Sequence, residues 1–170
     1  MFSRSLIRLS ATTARLNKLG ITLPPPGAPK ANYNMSCVTQ GNQLFISGHL
    51  PVRSDGSMVT GKLGDTVSVD EGYAAARLCG LGMLSSIQNR IGDLDNVIKI
   101  NKVFGIVNST PDFEEQHLVL NGASDLIMEV FEKKRGYHAR SAIGTNTLPL
   151  GVSVEVECIL EIKQGSAREV

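Results

Sequence analysis

Val152-Ser153-Val154-Glu155-Val156-Glu157-Cys158-Ile159-Leu160-Glu161-Ile162-Lys163 alternates apolar and polar residues along its length. Successive side chains of a strand point to opposite faces. Val152, Val154, Val156, Cys158, Leu160 and Ile162 therefore share one face, and Glu155, Glu157 and Glu161 share the other. The first face demands a core. The second demands water or cations, because unpaired carboxylates such as Glu155 and Glu157, about 7 Å apart on one strand, do not tolerate burial. Lys99, Lys102 and Arg140 are the cations available. A polar interior face of this kind also suits a sheet that packs against a symmetry mate.

Just upstream, His138-Ala139-Arg140-Ser141-Ala142 and Leu148-Pro149 form a second extended segment. It brings one arginine toward the glutamates of the terminal strand. An arginine fork grips a planar carboxylate through two parallel hydrogen bonds, and a neighbouring glutamate can hold a water or move a proton. Together they describe a pocket for a small organic acid. Spacing alone favours the plainer alternative, in which Arg140 ties to Glu155 or Glu157 as a structural pair.

The remaining elements follow from local signals. Ser68-Val69-Asp70-Glu71 is a capping box; it opens a helix with Tyr73, Ala76, Gly80, Met83 and Ile87 along one stripe, ending at Arg90 before Gly92. Val97 to Val107 reads as a strand, with Ile98, Ile100, Phe104 and Ile106 on one face and Lys99 and Asn101 on the other. Asp112-Phe113-Glu114-Glu115 caps a second helix through Val119, Ala123, Leu126 and Val130, closed by Lys133-Lys134-Arg135 and Gly136. Asn121 and Gly122 weaken that helix and need a packing or functional reason. Before the first of these helices, Met35–Thr39 and Leu44–Ser47 make strands across a Gly41-Asn42 turn. Pro51 to Gly64 is loop. The order β-β-α-β-α-β(-β) predicts an α+β layer, both helices on one face of a mixed sheet.

At 170 residues the chain suits one domain, and its formal net charge of +1 gives no global pull toward nucleic acid or an anionic membrane. No apolar run reaches the ~20 residues that span a bilayer. Cys37, Cys79 and Cys158 lack a C-x-x-C pair, and His49, His117 and His138 lack ligand spacing, so neither disulfide scaffold nor metal site is expected. Gly56-Ser57-Met58-Val59-Thr60-Gly61-Lys62 imitates a phosphate loop, but Leu63 stands where a Ser or Thr would ligate magnesium. A His138–Ser141 hydrolase triad lacks its nucleophile elbow. From Met1 to Arg53 there is no acidic residue. The Arg-, Ser- and Thr-rich opening has the composition of a mitochondrial transit peptide. Residues 1–15 are expected to be that peptide or a flexible extension, with 16–165 as the domain and 166–170 as a tail.

Ser47-Gly48-His49-Leu50-Pro51, Pro111-Asp112-Phe113, Asn121, Ala139-Arg140-Ser141, Leu148-Pro149 and Val154-Glu155-Val156-Glu157 resemble, in order and spacing, the reactive-intermediate deaminases. This YjgF-like family is also known as L-PSP endoribonuclease, and the likeness runs from about Leu16 to Lys163. The resemblance implies a chorismate-mutase-like fold assembled as a barrel-like homotrimer with clefts at its interfaces. It further implies cofactor-free and metal-free hydrolysis of small 2-imino or 2-enamino acids to 2-oxo acids and ammonia. By the same resemblance Arg140 holds the substrate carboxylate and Glu155 serves water activation and proton transfer. Tyr33, Ser47, Gly48 and Asn121 complete the binding site. Deaminase members often carry cysteine two positions after the arginine; here that position is Ala142, which changes the pocket's shape. A non-catalytic protein binding small carboxylates is the alternative, and RNA cleavage a third reading. The near-zero net charge, three Tyr and absence of Trp argue against strong RNA binding.

Overall fold

The computed structural model describes residues 9–169. Five strands, β1 (Ser36–Val38), β2 (Gln43–His49), β3 (Val97–Asn108), β4 (Ala139–Thr145) and β5 (Val154–Ile162), form one mixed sheet in the order β1-β2-β5-β3-β4. The β3–β4 pair is parallel and the other three pairs are antiparallel. A parallel neighbour requires a crossover, which the segment between β3 and β4 supplies through α3 (Gln116–Val119) and α4 (Asn121–Gly136). The longer α2 (Val69–Ile91) joins β2 to β3 and packs beside α4, so both cover the same face of the sheet. The α+β architecture with its two main helices on one face is as expected.

The terminal strand sets the two faces. Val154, Val156, Cys158, Leu160 and Ile162 are buried under the helices, while Glu157 and Glu161 are exposed and Glu155 is half-buried on the open side. In β3 the expected faces need correction. Val97, Ile100, Val103 and Val107 are its buried apolar side chains, and Phe104 and Ile106 stand opposite Glu157 and Glu155 on the open face. Register shifts between Val97 and Lys99 and between Ile100 and Lys102 break the strict alternation.

The capping box forms: Ser68 Oγ accepts from Glu71 N at 3.3 Å and Glu71 Oε2 accepts from Ser68 N at 2.8 Å. The second helix starts later than expected. Thr110 N is still held by Leu63 O at 2.9 Å and Phe113 N by Thr110 O at 3.2 Å, so the chain turns through Asp112–Glu115 and coils only from Gln116. Gly122 has a packing reason, because a methyl group there would lie 1.9 Å from the Tyr73 carbonyl of α2.

At the N-terminal end, α1 (Ala11–Lys18) extends the fold into residues that composition assigned to an extension. Asp95 accepts from Ala11 N at 2.8 Å and Thr12 N at 2.9 Å. Arg135 Nη2 donates to Thr12 Oγ1 at 2.9 Å, and Arg15 pairs with Glu132 at 3.0 Å. Arg15 Nε also donates to the Glu129 carbonyl, just before the break in α4 where Glu132 takes φ 56°, ψ 175°. Composition hid this docking because every partner lies more than eighty residues away. Most of the Arg-rich opening, residues 1–8, lies outside the described residues. No described helix is long and apolar enough to cross a membrane.

Candidate functional site

Arg140 lies on the edge strand β4, in register with the fully buried Val103. Paired residues of neighbouring strands share a face, so its side chain rises on the helix side. There Nη1 donates to Asn121 Oδ1 and to Ser124 Oγ, both at 3.0 Å, and Nη2 donates to the His117 carbonyl at 3.0 Å. All three acceptors are neutral. Among the described residues no carboxylate lies within ion-pair distance of it, and Nε–H and one Nη2–H have no protein acceptor. Partial burial pulls its pKa below the usual guanidinium value, while Asp125 opposes the shift; the group stays cationic, since arginine does not deprotonate in proteins.

Local structure aims these partners. Leu120 seats against Gly105 of β3, where a methyl group would fall 2.0 Å from Leu120 Cδ1. That fit places the start of α4, so Asn121 and Ser124, three residues apart on one helix face, both point at Arg140. His138 adds a further link: Nδ1 is 2.6 Å from the Gly136 carbonyl and Nε2 is 3.0 Å from Ser124 Oγ.

A second cluster gathers on the open face. A register shift between Ile46 and His49 leaves Ser47 and Gly48 in a bulge of β2 beside β5. A methyl group on Gly48 would sit 1.8 Å from Glu155 Oε1, so glycine is what leaves room for the carboxyl. Burial raises the Glu155 pKa and the charge of Glu157 adds to it. Ser47 Oγ donates to the Asn34 carbonyl at 2.7 Å, tying the preceding segment to the bulge. Tyr33, next in line, is 42% exposed, with its hydroxyl accepting from Lys30 N at 3.3 Å.

The structure thus brings Arg140 to Asn121, and Ser47 and Gly48 to Glu155, but it does not bring the two groups together. β3 lies between β4 and β5, and the side chains of Arg140 and Glu155 rise on opposite faces. The Arg140–glutamate structural tie that spacing favoured is absent. Lys99 and Lys102 do not meet the glutamates either: Lys99 Nζ donates to the Lys134 carbonyl at 3.3 Å and Lys102 Nζ to Ser141 Oγ at 2.7 Å. Sequence reasoning missed Ser124, for which the Asn121/Ser124 spacing was the signal; Ser141, of the triad that was set aside, is in register with Phe104 and faces the other way. Lys62, at the end of the segment that only imitates a phosphate loop, donates to the Asn146 carbonyl at 2.6 Å.

A family model described as "YjgF/chorismate_mutase-like, putative endoribonuclease" matches residues 13–162. Protein TCP17 of Trypanosoma cruzi is 46% identical over 158 residues, spanning 93% of this chain and 98% of its own. The crystal structure of Atu1372 from Agrobacterium tumefaciens, a protein of unknown function, superposes with a TM-score of 0.81 at 42% identity, over 89% of this chain and 92% of that one. A Shewanella oneidensis MR-1 structure carrying the same endoribonuclease description superposes with a TM-score of 0.85 at 31% identity, over 90% of this chain and all of its own.

Proposed function

Because the chain belongs to the YjgF/chorismate mutase-like family, we propose that it hydrolyses small 2-imino or 2-enamino acids to 2-oxo acids and ammonia, at a site completed between protomers of a homotrimer. The observation that carries this reading is Arg140. It is a cation fixed at both Nη atoms by neutral acceptors, with two N–H groups left for a ligand. That is the state an arginine needs to grip a carboxylate.

Glu155 supplies the proton chemistry. A carboxyl whose pKa is raised keeps its proton at higher pH than a solvated one and can give it to the imine nitrogen. Water then adds to the carbon, and its proton goes to the Glu155 carboxylate. From the resulting carbinolamine the hydroxyl proton passes through the same carboxyl to nitrogen, the C–N bond breaks, and ammonia leaves with a C=O behind it. General acid–base help of this kind is worth roughly 10²–10⁴-fold, and fixing the carboxylate adds pre-organisation. Within one protomer Arg140 and Glu155 face apart, so the reaction needs Glu155 from a neighbour. The open sheet face supports such a neighbour: Phe45 and Ile143 are 39% and 46% exposed there, beside the half-buried Phe104, Ile106 and Ile159.

The test is release of ammonia or 2-oxo acid from freshly generated 2-iminobutanoate. The expected rate exceeds the spontaneous one and falls to it in Arg140→Ala. A wild-type rate equal to the spontaneous one overturns the reading. Ala142, in register with Gly105 on the face that carries Arg140, favours a second reading, a carboxylate-binding protein without turnover. Carboxylate binding lost in Arg140→Ala, with no imine hydrolysed, selects that one. RNA cleavage that persists in the Arg140/Glu155 double variant would come from a contaminant. The arginine-rich, acid-free opening supports a mitochondrial address; a reporter fused to residues 1–15 that stays cytosolic removes it.

A further inference from the structure

We infer that His138 and Ser124 are positioning residues that hold the Arg140 guanidinium ready for its carboxylate; the carboxylate rests on the proposed function, whereas the positioning rests on hydrogen-bond logic alone. A carbonyl can only accept, so Nδ1 of His138, 2.6 Å from the Gly136 carbonyl, carries the proton. In the neutral ring Nε2 then has only its lone pair, and at 3.0 Å from Ser124 Oγ it accepts the serine hydroxyl proton. That turns a Ser124 lone pair toward Arg140 Nη1, also at 3.0 Å. Asn121 Oδ1 takes the other Nη1 hydrogen at 3.0 Å. The chain Gly136 carbonyl, His138, Ser124, Arg140 therefore runs in one direction, each group fixing the next, as outer partners of a binding group commonly do.

The surroundings keep the ring neutral. Burial lowers the His138 pKa against the opposing pull of the Gly136 bond, and the cations near it, Arg140 of β4 and Lys99 of β3, lower it further. Were the ring to gain a proton at Nε2, that N–H and the Arg140 N–H would both point at Ser124 Oγ. The hydroxyl would lose its acceptor, and Arg140 would face a second cation.

Nitrogen-detected NMR of the Arg140 guanidinium, with 2-oxobutanoate titrated into the intact chain, tests this. In the wild type the expected results are hindered rotation of the guanidinium and the Nδ1–H tautomer of His138. In His138→Phe and Ser124→Ala the guanidinium, left with Asn121 and the His117 carbonyl, should rotate faster than in the wild type, and 2-oxobutanoate should bind about tenfold more weakly, the order of one charge-assisted hydrogen bond. In turnover the loss should appear in KM rather than kcat. His138→Gln, which can keep both an amide donor and a carbonyl acceptor, should restore the wild-type pattern. An Nε2–H tautomer, or unchanged rotation in His138→Phe, overturns the inference. If the wild type binds no 2-oxobutanoate, the proposed function fails while the rotation data still decide the positioning role.

Discussion

Glu155 and Gly48 show at the scale of single residues how the proposed acid–base group is held at a cost to stability. The Glu155 carboxyl sits where burial and Glu157 disfavour its charge, and Gly48 leaves it just enough room. A carboxyl with a raised pKa destabilises the fold wherever it is ionised, and stops doing so once it is protonated in the unfolded chain too. Glu155→Gln should therefore raise Tm at pH 7, and the gain should vanish as pH falls to the ordinary 4.5, in thermal melts across that range. Gly48→Ala should leave the protein folded and displace the carboxyl, lowering kcat about 10²-fold, at the low end of what acid–base help supplies; steady-state kinetics checks it. Glu155 was legible because strict alternation assigns its face. Its separation from Arg140 was not legible, because the face of a residue on β4 depends on register with β3, and β3 carries two irregularities that no local pattern announces.

α1 and α4 make the corresponding point for elements. The helix Ala11–Lys18 has no acidic residue of its own and is capped from outside by Asp95. Its Arg15 satisfies the Glu129 carbonyl beside the break in α4. A chain that begins at Ser10 is the reference for this helix. Removing 1–15 should cost about 2 kcal/mol, from a lost cap and loosened packing at Leu16, and lower Tm by roughly 4–8 °C, as calorimetry can read. The helix at Val69 was legible down to its capping residues because a capping box is local chemistry. The second helix is capped at Glu115, three residues later than the expected Asp112, since the Thr110–Leu63 bond that delays it reaches across the loop. Asn121 and Gly122, flagged as helix-weakening, turned out to serve different ends: one holds Arg140, the other lets α4 approach Tyr73.

The whole molecule has one finished face and one unfinished face. Helices bury the first; the second presents Phe45, Phe104, Ile106, Ile143 and Ile159 around the glutamates. In the proposed homotrimer this apolar patch is the interface, so Phe104→Glu should yield monomers by analytical ultracentrifugation and abolish turnover with them. Two histidines add a pH limit. His49 and His138 are both lowered below 6.5, first by burial, so each contributes stability that is present at neutral pH and lost as pH falls below 6.5. Tm should decline over that window, and less steeply in His49→Gln. The central claim, that Arg140 and Glu155 meet only across protomers, is tested most directly by unfolding Arg140→Ala and Glu155→Gln together and refolding the mixture. Random mixing in a cyclic trimer recreates intact Arg140–Glu155 pairs at about a quarter of the sites, so the mixture should recover about that share of wild-type imine hydrolysis while each variant alone stays inactive. A mixture as inactive as its components would contradict the account.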